Sequence, residues 1–194
     1  MFLKDILSLF GRWKKERGVE MGPRQRALHL YCKYFNIDQN IKEDNFATDL
    51  DYILKEMDIS LYSADMEEIF PNTPNPNYDV SACIRKENGK YTIYVNKYEP
   101  LVRQRFSIAH EIAHFYLEHL DDKKPMDICF RDDSSSKGKD RREIEANAFA
   151  STLLMPKKMV LVLYNAGFDV RTMADLFCVS QIAVEYRLKN LRLM

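Results

Sequence analysis

The segment Arg103 to His114 reads Arg-Gln-Arg-Phe-Ser-Ile-Ala-His-Glu-Ile-Ala-His, and it constrains this chain more than any other stretch. Ile108, Ala109, Ile112 and Ala113 are apolar or small and recur at helical spacing, so the segment belongs to a long, largely buried helix, roughly Val102 to Leu120. His110, Glu111 and His114 are set into that helix. Residues four apart share one helical face, so the two imidazoles converge while Glu111 projects beside them. Buried polar groups need partners to offset their desolvation, and a metal ion is the most economical one here. Three of the four histidines, His110, His114 and His119, fall within ten residues.

A catalytic zinc keeps three protein ligands and one open position, so a third ligand is required. His119 lies five residues past His114, about 140° further round the helix. It also lacks the glycine turn that delivers a third histidine in longer patterns of this kind, and is expected at the helix end or supporting the ligands. The later helix, Arg142 to Leu154, stopped by Pro156, is the better source. Its Ala146, Phe149, Ala150 and Leu153 make a core-facing stripe with small residues that permit close packing, and Glu143 and Asn147 share a face.

The rest of the chain supplies a frame. Val80 to Arg85 and Tyr91 to Val95 flank Glu87-Asn88-Gly89-Lys90, a tight-turn signal that predicts a hairpin. Helices are expected over residues 2–16, Arg24 to Phe35, Phe46 to Met57, Met173 to Phe177 and Gln181 to Leu191, and a short strand over Ile59 to Tyr62. The first of these is amphipathic and ends in a basic cluster; it is expected to cover the protein's own core, with docking on a partner or on a membrane surface as the alternatives. Phe70 to Tyr78, with three prolines and three asparagines, reads as an irregular surface loop, and the polar stretch 131–140 as a mobile connector.

Hydrophobic residues are 46% of the chain and charged residues 30%, a balance that excludes disordered and membrane classes. Basic and acidic residues number 29 each, so no global field favours nucleic acid or an anionic membrane. Cys32, Cys83, Cys129 and Cys178 form no C-x-x-C pair and read as free thiols, which fits a reducing cytoplasm. The N-terminal stretch has the reverse of a signal peptide's charge order, and no apolar run reaches membrane-span length. The segment Asp169 to Leu191 has the look of a helix-turn-helix, with Val179-Ser180 at the turn. Ile182, Ala183 and Val184 occupy the start of its second helix, where DNA readers carry polar side chains, and only Arg187, Lys189 and Arg192 are basic. The expectation is a helical element packed on the main body or against a partner protein, with no strong case for nucleic acid.

Taken together, Arg-x-Arg-Phe-Ser-x-Ala-His-Glu-x-Ala-His and, some thirty residues later, Glu-x-x-Ala-Asn-x-Phe-Ala-x-x-Leu-Leu-Met-Pro closely resemble the ImmA/IrrE family of zinc metallopeptidases. The resemblance covers roughly Ile59 to Leu191 and departs at Ser81-Ala82, where family members commonly have Ser-Gly. It implies an α+β fold: a helical body with a small antiparallel sheet, a zincin-like helix carrying the site, and a C-terminal helix-turn-helix-like element. The expected division is an N-terminal arm over 1–22, the metallopeptidase domain over 23–160 and the C-terminal element over 161–194. The resemblance further implies zinc held by His110, His114 and Glu143, with Glu145 as the alternative ligand and Asn147 orienting Glu143. Glu111 is then the general base acting on water at the metal. Tyr94, Arg103 and Arg105 are candidates for stabilising the oxyanion, with none assigned. The implied substrate is a transcriptional repressor or antitoxin in a phage, mobile-element or stress circuit. Independently of the resemblance, the edge of the sheet containing the hairpin suits an extended peptide bound as an added strand, because backbone hydrogen bonds give sequence-tolerant affinity. The rival expectation is a non-enzymatic, toxin-like regulator that docks such a partner and keeps the metal for structure.

Overall fold

The structure, a computed structural model, describes residues 21–34, 46–120, 126–130 and 141–194; the helix expected over 2–16 and the connector 131–140 lie outside these. Asn88 (φ 51°) and Gly89 (φ 80°) join β2 (Val80–Glu87) to β3 (Lys90–Asn96). Two positive dihedrals match the twist of the flanking strands, and Asn-Gly adopts them at little cost. The hairpin runs in antiparallel register from Ala82↔Val95 to Glu87↔Lys90.

Two further strands extend it into a four-stranded sheet of order β1-β3-β2-β4, where β1 is Ile59–Ala64 and β4 is Met126–Phe130. The antiparallel core of the sheet is as expected. β1 adds one parallel pairing, Ile59↔Tyr91 through Ala64↔Asn96, and β4 lies antiparallel to β2 with an irregularity between Val80 and Ala82. A parallel neighbour needs a long crossover rather than a tight turn. The connection after β1 holds two four-residue helices, α3 (Met66–Ile69), ahead of the stretch read as loop, and α4 (Pro76–Asp79), which overlaps the end of that stretch.

Preceding them, α1 spans Pro23–Tyr34 and α2 spans Leu50–Glu56. α2 starts later than the apolar pattern suggests, because the Asp49 side chain caps it by accepting from the Tyr52 N–H. α5 (Leu101–Tyr116) follows Pro100, and Gln104 donates through its side chain to the Glu99 carbonyl at 2.8 Å. α6 (Arg141–Leu154) packs on α5, and Ala109, Ala113, Ala146 and Ala150 are all fully buried in the core these helices share. Phe149, Leu153 and Leu154 from α6 join Ile84, Ile93 and Val95 from the sheet in that core.

Pro156 stops α6 and, at φ −59°, also starts α7 (Lys157–Asn165), a helix not expected from the sequence. α8 (Val170–Phe177) and α9 (Gln181–Asn190) form the helix-turn-helix-like pair, with Cys178 left-handed at the turn and Ser180 capping α9 through the Ala183 N–H. Met173, Phe177, Val184 and Leu188 belong to the same core cluster as α5 and α6. Cys83 and Cys178 are free thiols, and no helix among the described residues is long and apolar enough to cross a membrane.

Candidate metal centre

The packing of α5 on α6 brings His110, His114 and Glu143 to one point: one ligand atom from each lies within 4.8 Å of the others. His110 Nε2 is 2.9 Å from His114 Nε2 and 3.1 Å from Glu143 Oε2; Glu143 Oε1 is 3.2 Å from His114 Nε2. Both histidines are buried, and Glu143 is half-buried. Burial raises the Glu143 pKa, but the hydrogen bonds to His110 and His114 outweigh it and hold the carboxyl well below the usual range.

The tautomer of His110 follows from its other nitrogen. Nδ1 lies 3.0 Å from the Oδ1 of Asn147, an oxygen that only accepts, so Nδ1 carries the proton and Nε2 presents a lone pair. That lone pair faces a second imidazole and a carboxylate. Donors gathered this closely repel one another unless a cation or proton lies between them, and two imidazoles with one carboxylate is a donor set that zinc accepts. Asn147 therefore supports His110 rather than Glu143, the partner anticipated from the shared helical face.

Glu145, the alternative ligand, points elsewhere. Its Oε2 lies 3.3 Å from His119 Nε2, and its Oε1 accepts from Arg141 Nε at 2.8 Å. Burial and the neighbouring His114 hold His119 below the ordinary histidine range. The pairing was not legible because spacing along α6 separates the two glutamates without saying what each one meets.

Glu111 is fully buried next to His110 on α5. Cys83 of β2, read from the sequence only as a free thiol, is pushed up to about 12 by its own burial and then by the charge of Glu111. Glu99, also buried, accepts from Ser81 Oγ at 2.8 Å and pairs with Arg103 at 3.2 Å, fastening the start of α5 to β2.

The three oxyanion candidates separate. Arg105 is turned toward α2, donating to the Thr48 carbonyl at 2.7 Å. Tyr94 stacks on Tyr62 at 5.9 Å with Arg85 over its ring. Arg103 is half-exposed and tied to Glu99. None is joined to the histidine pair by a described contact. In the C-terminal pair, Arg187 is buried and donates through Nε to the Met155 carbonyl at 3.0 Å, which removes one of the three cations available to a nucleic acid.

A helix with two histidines and a glutamate, closed by a carboxylate from a second helix beside a small sheet, is the arrangement of a metallopeptidase-type site. The chain belongs to the M78 peptidase family: the model of its IrrE N-terminal-like domain matches residues 66–189. It is 32% identical over 108 residues to Metallopeptidase ImmA of Bacillus subtilis (strain 168), a match covering 55% of this chain and 60% of that protein. A solved structure described as a Mycobacterium tuberculosis transcriptional regulator aligns at a TM-score of 0.47 and 16% identity, over 87% of this chain and 52% of that one. The chain thus spans between half and two thirds of the length of these relatives.

Proposed function

We propose that this chain is a zinc-dependent endopeptidase in which His110, His114 and Glu143 hold the ion and Glu111 is the general base. The observation that carries the reading is the ligand triangle at 2.9 to 3.2 Å with a fully buried carboxylate next to one of its members. Bound there, zinc would polarise a scissile carbonyl and lower the pKa of water to about 7. Glu111 would act as the base that takes a proton from the attacking water and returns it to the leaving amine. Asn147 keeps the His110 proton on Nδ1, so Nε2 stays available. A site that used its metal only for structure would have no role for Glu111.

The substrate we propose is a protein, specifically a helix-turn-helix repressor or antitoxin met in the cytoplasm; the family resemblance carries that part. An extended segment suits the sheet, because β4 is the edge strand next to β2, which carries Cys83 near Glu111, whereas β1 lies two strands away. The test is incubation of the zinc-loaded protein with a candidate repressor, wild type against Glu111→Gln, with metal counted by elemental analysis. The variant should bind zinc at the same stoichiometry and lose cleavage by roughly 10²- to 10⁴-fold. Equal cleavage by both proteins would show that the base is misassigned.

A further inference from the structure

We infer that His119, held by Glu145, is a positioning residue that fixes the ring of His114 and thereby sets how tightly the His110–His114–Glu143 triangle binds its ion. This rests on the metal-site reading above. It starts from the way α5 ends. The His119 N–H reaches back to the His114 carbonyl at 2.9 Å and the Glu118 N–H to the Phe115 carbonyl at 3.1 Å, with Glu118 at φ 60°. This paired-bond helix end folds the chain back on itself. It returns the His119 side chain to the ring of the residue five positions earlier.

The rings of His114 and His119 meet edge to face, with centroids 5.2 Å apart and planes 74° apart. Another side of His114 meets the His110 ring at 4.7 Å. The ring of His114 is therefore walled by two imidazoles, one of them outside the ligand set. What holds the outer wall is Glu145. Its carboxylate only accepts, so His119 carries its proton on Nε2 and donates it there. His119 Nδ1 has no hydrogen-bond partner among the described residues, which leaves Glu145 as the side-chain tie that orients this ring. Glu145 is steadied by Arg141, and Arg142 donates to the His119 carbonyl at 3.0 Å.

The first turns of α6 thus serve the centre twice: Glu143 meets the two ligand histidines directly, and Glu145 braces the residue that walls one of them. A ligand whose ring is already fixed loses less rotamer freedom on binding, and removing such supports weakens metal affinity by about 10- to 100-fold.

The experiment measures the zinc Kd of the full chain by competition with a chromophoric chelator, together with the visible absorption of the cobalt-substituted protein. His119→Ala and Glu145→Ala should each weaken zinc by roughly 10- to 100-fold and alter the cobalt bands. The double variant should be no weaker than His119→Ala, and Glu145→Gln, which retains an acceptor oxygen, should recover most of the affinity. A merely structural role would lower the melting temperature of the metal-free protein and leave zinc affinity within twofold of wild type, and that result overturns the inference. If His119→Ala does not fold, the Glu145→Ala and Glu145→Gln pair decides by the same outcomes. Wild-type protein that takes up neither ion overturns the metal-site reading and this inference together, whereas tight wild-type binding unmoved by the variants overturns this inference alone.

Discussion

Asn147 on α6 holds His110 on α5 through a 3.0 Å contact between Oδ1 and Nδ1, on the side of the ring away from His114 and Glu143. Because the contact fixes a tautomer, its loss should be read in metal affinity more than in folding. Asn147→Ala should weaken zinc by about 10- to 100-fold. Asn147→Asp, which keeps an acceptor, should weaken it less. Chelator competition at fixed pH is the measurement, and equal affinities for all three proteins would remove Asn147 from the centre.

Zinc should also stabilise the fold, since the triangle joins two helices that meet only in the native state. At a free concentration one hundred times its Kd, an ion bound only by the folded chain adds about 2.7 kcal/mol. A scan of melting temperature against zinc should rise for wild type and stay flat for His110→Ala. A rise of equal size in the variant would mean that the ion binds elsewhere.

Arg187 should matter for stability and not for nucleic acid. Its guanidinium is buried, burial lowers its pKa to about 10, and it donates to the carbonyl of Met155 just beyond the end of α6. Replacing it with leucine leaves a buried carbonyl without its donor, a loss of about 1–3 kcal/mol. The urea midpoint should fall accordingly. Retention on DNA should be absent in wild type at physiological salt; strong salt-sensitive retention would reopen α9 as a DNA reader.

Asp65 caps α3 and gathers Tyr98 and Lys97, tying the end of β1 to the loop before α5. The side-chain hydrogen bond from Tyr98, followed by those with Asn77 and Lys97, holds its pKa well below the ordinary carboxylate range. A depressed folded pKa gives stability that is full above the unfolded value, near pH 4, and is lost as pH falls toward the folded one. Acid unfolding should therefore steepen below about pH 4 in wild type, and Asp65→Asn should be less stable at neutral pH with a flatter acid limb. Parallel acid limbs in the two proteins would count against this ionic cap.

How much of this was readable in advance differs by element. The hairpin was legible because Asn88-Gly89 specifies its own dihedrals, and α5 because its apolar period surrounds the histidines. Glu143 could be picked out through its place in the Glu-x-x-Ala-Asn pattern, yet the same helix offered Glu145 two residues on, and only packing separates their partners. α7 was hidden by Pro156: a proline reads as a stop, but it is equally at home at the start of a helix, and here it serves both ends. β4 and the register of β1 depend on pairings with distant strands, which no local pattern encodes. Arg187 looked like a surface cation because charge in a sequence carries no direction, whereas its donor groups match a carbonyl inside the body.

The parallel seam between β1 and β3 should order the assembly of the sheet in time. The β2–β3 ribbon closes through two residues, whereas β1 pairs with β3 across a much longer loop. A lesion in the ribbon should therefore slow refolding, while one in β1, such as Leu61→Ala, should mainly hasten unfolding. Late arrival leaves the edge beyond β1 secured only after the ribbon beside it.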